Sequence, residues 1–417
     1  MKDLLSGVLE DKSIMEMSEC FQREKGEAFI YGLGSSQKHA CLAACIIERR
    51  KKGFRGPVVI VTGDSQQSVE WQEDFRCLLP EEKILSLPVV DMADFSTAAK
   101  SMELMSRRMD ILGKLIRGEC VTIVASANAA AQKGMSSQDF QRLSLAVKIG
   151  DEIEREVLIE KLSALGYQRI EQVDTAGQYS IRGCIVDVYP INALEPVRME
   201  FFDNEVDSLR HFSLETQRSI KNVSSVEIMP VGMSEKGECR ESFLSFVPAG
   251  CNVVLDEPMR IREQLVKLVK ENPEAKGKLV TWEDIQVIAS EKNLMYLALL
   301  LQKVYGGTPD TLISIRVKAM TSYNRQLDIL AGDIQEWQEK KQKILFLMSD
   351  TSKIAFVEGF LKERNISSEG ISIIDGTLLN GFELPGAKVS VVTEKDIFGH
   401  QKRKALSVSK DERITHF

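Results

Sequence analysis

The sequence is poor in the residues that most metal sites and disulfide frameworks require. Its 417 residues include four histidines, none in an HExxH pattern, and eight cysteines without a CxxC pair. Cys41 and Cys45 lie one helical turn apart in an apolar stretch, where core thiols are the commoner arrangement. The composition therefore predicts no metal site, and the scattered cysteines are typical of a reducing compartment.

Long apolar runs and a basic leader are also missing. No run approaches the roughly 18 apolar residues that cross a bilayer, and the first residues are mixed and acidic instead of basic and then apolar. With 43% hydrophobic and 28% charged residues, the composition is that of globular proteins. We therefore expect a cytoplasmic protein of about two to four domains with no membrane partner.

Short apolar runs alternate with helical stretches over the first 125 residues. Continuous apolar runs of this kind are typical of parallel strands that are buried on both faces, and the intervening stretches have helical periodicity. The pattern predicts an α/β domain in residues 1–125. The predicted strands lie at 28–32, 56–62 and 121–126, and the predicted helices at about 37–51 and 102–116.

The pattern changes after Ser126, which indicates an inserted α+β domain over residues 126–195. A helix predicted at 151–165 places Ile153, Val157, Leu158, Leu162 and Leu165 on one face and stops at Gly166. The following strands alternate with a period of two residues, as antiparallel strands with one polar face do. The next hairpin, which turns at Asp203-Asn204, is expected to return the chain to the first domain.

The remaining chain predicts two further α/β segments. Residues 196–315 complete the first domain, with a buried strand at 251–258, a helix at 259–271 and partly helical sequence at 276–305. Residues 316–410 form a small α/β domain, and residues 411–417 are the end of a linker. The elements predicted in the small domain are helices near 323–341 and 353–364 and strands near 343–349, 371–374 and 388–393.

The sequence GLGSSQKHA, which begins at Gly32, resembles a degenerate phosphate-binding loop. Compared with GxxxxGK[ST], Gln37 replaces the second glycine and His39 replaces the hydroxyl that binds magnesium, so that only Gly32 and Lys38 remain. Imidazole is a poor ligand for magnesium, a hard cation that prefers oxygen. We therefore predict no catalysis in this segment.

An acidic pair, Asp256 and Glu257, follows the predicted strand at 251–258. With Lys38 it resembles the vestige of a nucleotide site, because helicases hold magnesium and water with such residues. Acidic pairs after strands are also common surface chemistry, and both interpretations remain open.

The stretch from Leu165 to Ile220 resembles a module shared by the nucleotide-excision-repair protein UvrB and the bacterial transcription-repair coupling factors. The resemblance extends more weakly from about residue 31 to 399. It implies a degenerate, RecA-like helicase domain (1–125 and 196–315) split by a UvrA-docking domain (126–195). The matching pieces are GYQRIEQV, the Arg182-Gly183 step of YSIRGCIVDVYP, EPVRMEFFDNEVDSLRHF and ETQRSI.

In that family, arginines of the module are central to the contact with UvrA, and the match places two of them at Arg169 and Arg182. From the residues alone, Arg169 could instead pair with Glu171, and Arg182 could be a solvated strand residue. Tyr179 and Tyr189 are candidates for extending the docking surface, although strand aromatics are more often core residues. Ser180 departs from the family, where UvrB has an arginine in RVRG.

The resemblance implies UvrA as the partner of this segment and no cofactor within it. Complete family members continue into a part that contacts RNA polymerase and a translocase that uses ATP and magnesium on duplex DNA. The alternative function is a UvrB-like nucleotide- or DNA-binding helicase module that uses Lys38, Asp256 and Glu257. A third possibility is a structural or autoinhibitory role for residues 316–410. The net charge of −7 argues against tight DNA binding. The compact basic cluster Lys402-Arg403-Lys404 is a candidate for DNA contact, but it is too small to bind DNA tightly.

Overall fold

The computed structural model describes residues 1–90, 98–231, 240–273 and 277–399. The helices are α1 (Lys2–Val8), α2 (Lys12–Phe21), α3 (Ser35–Lys51), α4 (Ser65–Leu78), α5 (Ala98–Ile116), α6 (Ala127–Ala131), α7 (Ser137–Leu143), α8 (Arg155–Ala164), α9 (Pro258–Glu271), α10 (Trp282–Ala289), α11 (Leu327–Glu339), α12 (Thr351–Glu363) and α13 (Glu394–Phe398), with a 3₁₀ turn at Phe243–Phe246.

The strands belong to three large sheets and two short pairs. They are β1 (Gly26–Tyr31), β2 (Val58–Thr62), β3 (Ile84–Ser86), β4 (Thr122–Ser126), β5 (Gly134–Met135), β6 (Leu145–Lys148), β7 (Gln168–Arg169), β8 (Gln178–Arg182), β9 (Ile185–Tyr189), β10 (Val197–Phe202), β11 (Glu205–Phe212), β12 (Ser219–Asn222), β13 (Ser225–Ile228), β14 (Arg240–Glu241), β15 (Asn252–Asp256), β16 (Asn293–Ala298), β17 (Thr311–Ser314), β18 (Lys318–Ala319), β19 (Lys343–Met348), β20 (Ile371–Asp375), β21 (Phe382–Leu384) and β22 (Val389–Thr393).

The first sheet has seven parallel strands in the order β17-β1-β16-β15-β2-β4-β3. One apolar core contains residues of α1 to α4 on one side of the sheet, and a second contains residues of α5, α6, α9 and α10. This confirms the predicted buried strands and the mixed α/β class. The segment predicted to be partly helical, 276–305, contains helix α10 and also strand β16, which the sequence had not predicted. All six residues of β16 are buried, and a short apolar run does not distinguish a buried strand from a buried helix.

The second sheet has six strands in the order β12-β11-β10-β9-β8-β7. The expectation that the hairpin β10–β11 returns to the first sheet is wrong, because β10 pairs with β9 along Val197↔Val188 and Met199↔Val186. Val188 and Met199 are fully buried in the core of this sheet. The pairing is antiparallel throughout, except for the short parallel contact between β7 and β8.

The limits of this second unit also differ from the predicted 126–195. Ser126 ends β4, and the alanines of α6 are buried in the core that the first sheet shares with α9. The second unit instead runs from β6 to β13, which pair with each other along Val147↔Val226 and close the fold. The boundary had to be corrected because both ends are fixed by strand pairing between distant residues.

The predicted helix is present as α8, but it begins at Arg155 and not at residue 151. It packs on one face of the second sheet. Leu158 and Leu162 are fully buried, whereas Val157 is 38% exposed and lies off the packed face. Gly166 follows the helix with φ +87°, a left-handed conformation that favours glycine and ends the helix there.

The third sheet has the order β18-β21-β22-β19-β20, with β19, β20 and β22 parallel. On one side it packs on α11, α12 and α13. On the other side Leu347, Phe382 and Val389 join the same core as α1 and α3, so the third unit is packed on the first. Residues 400–410, the predicted linker end 411–417 and the basic cluster Lys402-Arg403-Lys404 lie outside the described residues.

Candidate functional site

Packing requires a glycine at Gly32, the first glycine of the loop between β1 and α3. Gly32 has φ +96°, and a Cβ atom there would lie 2.1 Å from the carbonyl oxygen of Ile315. Its backbone N–H donates to the carbonyl of Leu299 at 3.1 Å. The backbone of Gly32 is therefore in close contact with the chain that leaves β17, and this contact is sufficient to require glycine.

The three residues of the predicted relic nucleotide site come together, as a closed ion-pair cluster. The buried Lys38 Nζ lies 2.6 Å from Asp256 Oδ1 and 3.8 Å from Glu257 Oε1. Trp71 Nε1 donates to the second carboxylate oxygen of Asp256 at 2.7 Å. Burial raises the pKa of Glu257, and the charge of Lys38 partly opposes that shift. The lysine that would contact a phosphate is thus already paired.

His39, which stands where a phosphate loop has its magnesium-binding hydroxyl, contacts a neighbouring helix. Its Nδ1 lies 2.6 Å from Asp74 Oδ2 on α4, and its ring packs on Trp71 with centroids 4.0 Å apart. The other oxygen of Asp74 accepts the backbone N–H of Leu379 at 2.8 Å. His39 therefore belongs to a buried network that reaches the third unit.

The start of α3, where a phosphate would lie, is covered by the third unit. Asn380 Nδ2 donates to Ser35 Oγ at 2.6 Å, and the Asn380 backbone N–H donates to Ser36 Oγ at 3.0 Å. Lys395 Nζ donates to Asn380 Oδ1 at 2.7 Å and fixes the orientation of the amide. No sequence pattern indicates this contact, because its partners are about 345 residues apart.

Arg169 and Arg182 lie on the neighbouring strands β7 and β8 at the edge of the second sheet, and both are exposed. Arg182 Nη2 donates to the carbonyl of Glu171 at 2.9 Å, which ties the end of β8 to the loop after β7. Gly183 follows with φ +61°, the left-handed conformation that the Arg-Gly step requires. The structure thus brings the two predicted arginines to one edge.

Tyr179 is a correction to the predicted docking surface. Its side chain is 2% exposed and belongs to the core of the second sheet, where its hydroxyl lies 3.1 Å from Ser163 Oγ of α8. Alternation along β8 directs Tyr179 inward and Arg182 outward. Tyr189 is half-buried and its hydroxyl donates to the carbonyl of Leu194 at 2.9 Å. Ser180 is also buried, at 1% exposure, and does not present its hydroxyl at the surface.

Sequence reasoning missed an ion pair beneath this surface. Arg198 on β10 donates two hydrogen bonds to Asp187 on β9, at 2.7 and 2.8 Å, and its guanidinium lies 4.5 Å from the ring centroid of Phe212. The hydrogen bonds that Arg198 donates to Asp187 raise the pKa of Arg198. Arg198 and Asp187 lie opposite each other in the register of β10 and β9. The alternating patterns of EPVRMEFF and IVDVY were the sequence signal that could have indicated this pair. The ion pair links β10 to β9, the strand that neighbours β8.

The described residues contain no group of three or more His, Cys, Asp or Glu side chains that could hold a metal ion. In the same part of the chain, no helix is long and apolar enough to cross a membrane.

Comparison with known families relates this geometry to nucleotide excision repair. Residues 145–233 match the UvrB interaction domain. The matched range coincides with the second unit, from β6 to just beyond β13. Arg169, Arg182 and the Asp187–Arg198 pair all lie within the matched residues.

The chain as a whole is similar to transcription-repair-coupling factors. It is 25% identical to the factor of Bacillus subtilis (strain 168), with 91% of this chain and 39% of the relative covered. It is 22% identical to the factors of Staphylococcus epidermidis RP62A and Staphylococcus aureus NCTC 8325, with all of this chain and 42% of each relative covered. The similarity relates the chain to the N-terminal region of a coupling factor, and the chain spans about two fifths of the relatives' length.

Proposed function

We propose that this chain is the recruiting segment of a transcription-repair coupling factor and that its UvrB interaction domain docks on UvrA. The observation that carries the proposal is the joint exposure of Arg169 and Arg182 at one sheet edge within the matched residues. Exposed arginines on two adjacent strands suit docking, because an interface anchor must be accessible to the partner.

Arginine suits this role because its planar guanidinium pairs with a carboxylate through two hydrogen bonds and stacks on apolar groups. The hydrogen bond from Arg182 to the Glu171 carbonyl engages one guanidinium nitrogen and restricts the side chain before binding. A restricted side chain loses less entropy when the partner binds. The partner surface that fits is therefore acidic, with carboxylates that face the end of β8 and β7.

We propose further that this segment has no catalytic activity. The support is the closed relic site, in which Lys38 pairs with Asp256 and Asn380 covers the start of α3. In the complete protein, contact with RNA polymerase and movement along duplex DNA with ATP and magnesium would belong to other parts. The segment would bring UvrA to a stalled polymerase.

The test is the affinity of purified UvrA for the full 417-residue chain and its charge-reversal variants. Arg182→Glu and Arg169→Glu should each weaken binding at least about thirtyfold, since loss of an interface anchor costs about 2 kcal/mol or more and reversal adds repulsion. Arg218→Glu is the matched control, because Arg218 is exposed just before β12 at the opposite edge of the sheet.

Circular dichroism should show all three variants folded. Wild-type affinity in both Arg182→Glu and Arg169→Glu would refute the docking surface. Saturable binding of ATP with micromolar affinity, lost in Lys38→Ala, would instead support a UvrB-like nucleotide-binding module.

A further inference from the structure

Phe202 is an exposed aromatic side chain that the packing of the fold does not explain. It ends β10, directly before the turn at Asp203, and 77% of its surface is exposed. Its neighbour Phe201 is 5% exposed and lies in the core of the second sheet. Alternation along the strand therefore directs Phe202 away from that core.

The backbone around Phe202 is held in place on both sides. On one side, the Phe201 N–H donates to the carbonyl of Cys184 at 2.9 Å. On the other side, the Ile153 N–H donates to the carbonyl of Asn204 at 2.8 Å, and the Gly150 N–H donates to the carbonyl of Val206 at 2.9 Å. An apolar side chain is thus displayed on a fixed hairpin, an arrangement that lowers the entropy lost on binding.

Strand register places Phe202 on the same face as Arg182. Arg182 pairs with Ile185, and Ile185 pairs with Glu200, so these three side chains form a row across β8, β9 and β10. Phe202 follows Glu200 by two residues and therefore faces the same way. Strands in a sheet lie about 4.8 Å apart and residues in a strand about 3.4 Å apart, so Phe202 lies roughly 12 Å from Arg182, two strands across and two residues along.

We propose that Phe202 is the apolar anchor of the UvrA-docking surface. Arg182 is the cationic residue of that surface on the same face of the second sheet. This inference rests on the proposed function and adds a specificity-determining residue to it. Charged pairs orient a partner and speed its association, whereas burial of an aromatic ring in the partner supplies affinity that salt does not screen. The complementary surface on UvrA is therefore an apolar pocket roughly 12 Å from an acidic group.

The experiment measures the dissociation constant of purified UvrA with the full chain at low and at high salt. Phe202→Ala should weaken binding about tenfold or more at both salt concentrations, and Phe202→Leu should retain most of the affinity. Arg182→Glu should lose its effect in part as salt rises, since screening reduces charge contacts. Ile220→Ala is the matched control, because Ile220 is 54% exposed on β12 at the far edge of the sheet.

Wild-type affinity in Phe202→Ala, together with impaired binding in Arg182→Glu, would overturn this inference and leave the proposed function intact. An equal loss in Ile220→Ala would also overturn it, because the effect would then not be specific to the hairpin. Failure of the unaltered chain to bind UvrA would refute the proposed function itself.

Discussion

At the scale of one residue, Lys38 belongs to a degenerate nucleotide motif but forms a buried ion pair that stabilises the fold. Its ammonium group lies 2.6 Å from Asp256, and both side chains are buried. Removing one member of a buried ion pair leaves the other charge without its partner and typically costs about 3–5 kcal/mol. Such a cost is a large part of the stability of an ordinary domain.

We predict that Lys38→Ala lowers the free energy of unfolding by roughly 3 kcal/mol, because Asp256 keeps only the hydrogen bond from Trp71. Lys51→Ala, on the exposed end of the same helix, should change it by about 0.5 kcal/mol or less. Urea unfolding followed by circular dichroism measures both values. Equal stability of the two variants would show that the buried pair contributes nothing.

A second variant separates the lost charge pair from lost packing. Asp256→Asn in the Lys38→Ala background removes the uncompensated carboxylate and keeps an oxygen that accepts from Trp71. The double variant should be more stable than Lys38→Ala alone, since the two residues are in contact and their effects are not additive. No recovery would mean that the cost of Lys38→Ala is a packing loss.

Among the secondary structure elements, the hairpin β10–β11 decides the limits of the second unit, which matches the UvrB interaction domain. Strand β10 covers the edge of β9, and Val186 and Val188 of β9 are fully buried beneath that pairing. A fragment that ends at residue 195 lacks β10 to β13 and would expose both the strand edge and the apolar core.

We therefore predict that an isolated fragment of residues 145–233 folds cooperatively and that a fragment of residues 126–195 does not. Thermal unfolding followed by circular dichroism distinguishes a cooperative transition from its absence. UvrA binding by the folded fragment, lost in Arg182→Glu, would also support the docking proposal. A cooperative transition in the shorter fragment would contradict the importance of β10.

We expect no nucleotide binding at the degenerate phosphate loop, which runs from β1 through Gly32–Gly34 into α3. Asn380 donates to the serine hydroxyls at the start of α3, and His39 is engaged by Asp74. We predict no saturable binding of magnesium and ATP with micromolar affinity, as measured by calorimetric titration. Heat of binding that disappears in a folded Lys38→Ala variant would contradict this prediction.

On the scale of the whole molecule, charge argues for protein docking over DNA binding. The chain has a net charge of −7, and residues 145–233 carry nine Lys plus Arg against fifteen Asp plus Glu. Proteins that bind DNA tightly present a basic face that displaces counterions from the phosphates. Arg169 and Arg182 thus belong to an acidic stretch of the chain.

We predict that the full chain binds duplex DNA non-specifically with a dissociation constant of roughly 10⁻⁴ M or weaker at physiological salt. Fluorescence anisotropy with a labelled duplex at several salt concentrations measures it. Submicromolar binding that weakens steeply with salt would reveal a basic face and favour the helicase-like alternative.

The sequence by itself determined the features that depend on neighbouring residues. Buried strands such as β2 and β4 follow from continuous apolar runs, and the end of α8 follows from Gly166. The replacement of two phosphate-loop residues by Gln37 and His39 could be recognised for the same reason, since the motif is local. Arg182 was found because alternation along its strand and the resemblance agreed, whereas Arg169 was found from the resemblance.

Only the tertiary structure decided which distant segments meet. Whether β10 pairs with β9 or returns to the first sheet depends on which apolar face it completes, and both choices have the same local pattern. The burial of Tyr179 depends on α8 lying over its face of the sheet. The contact of Asn380 with Ser35 joins residues about 345 positions apart and follows from the packing of the third unit on the first, which no periodicity in the sequence encodes.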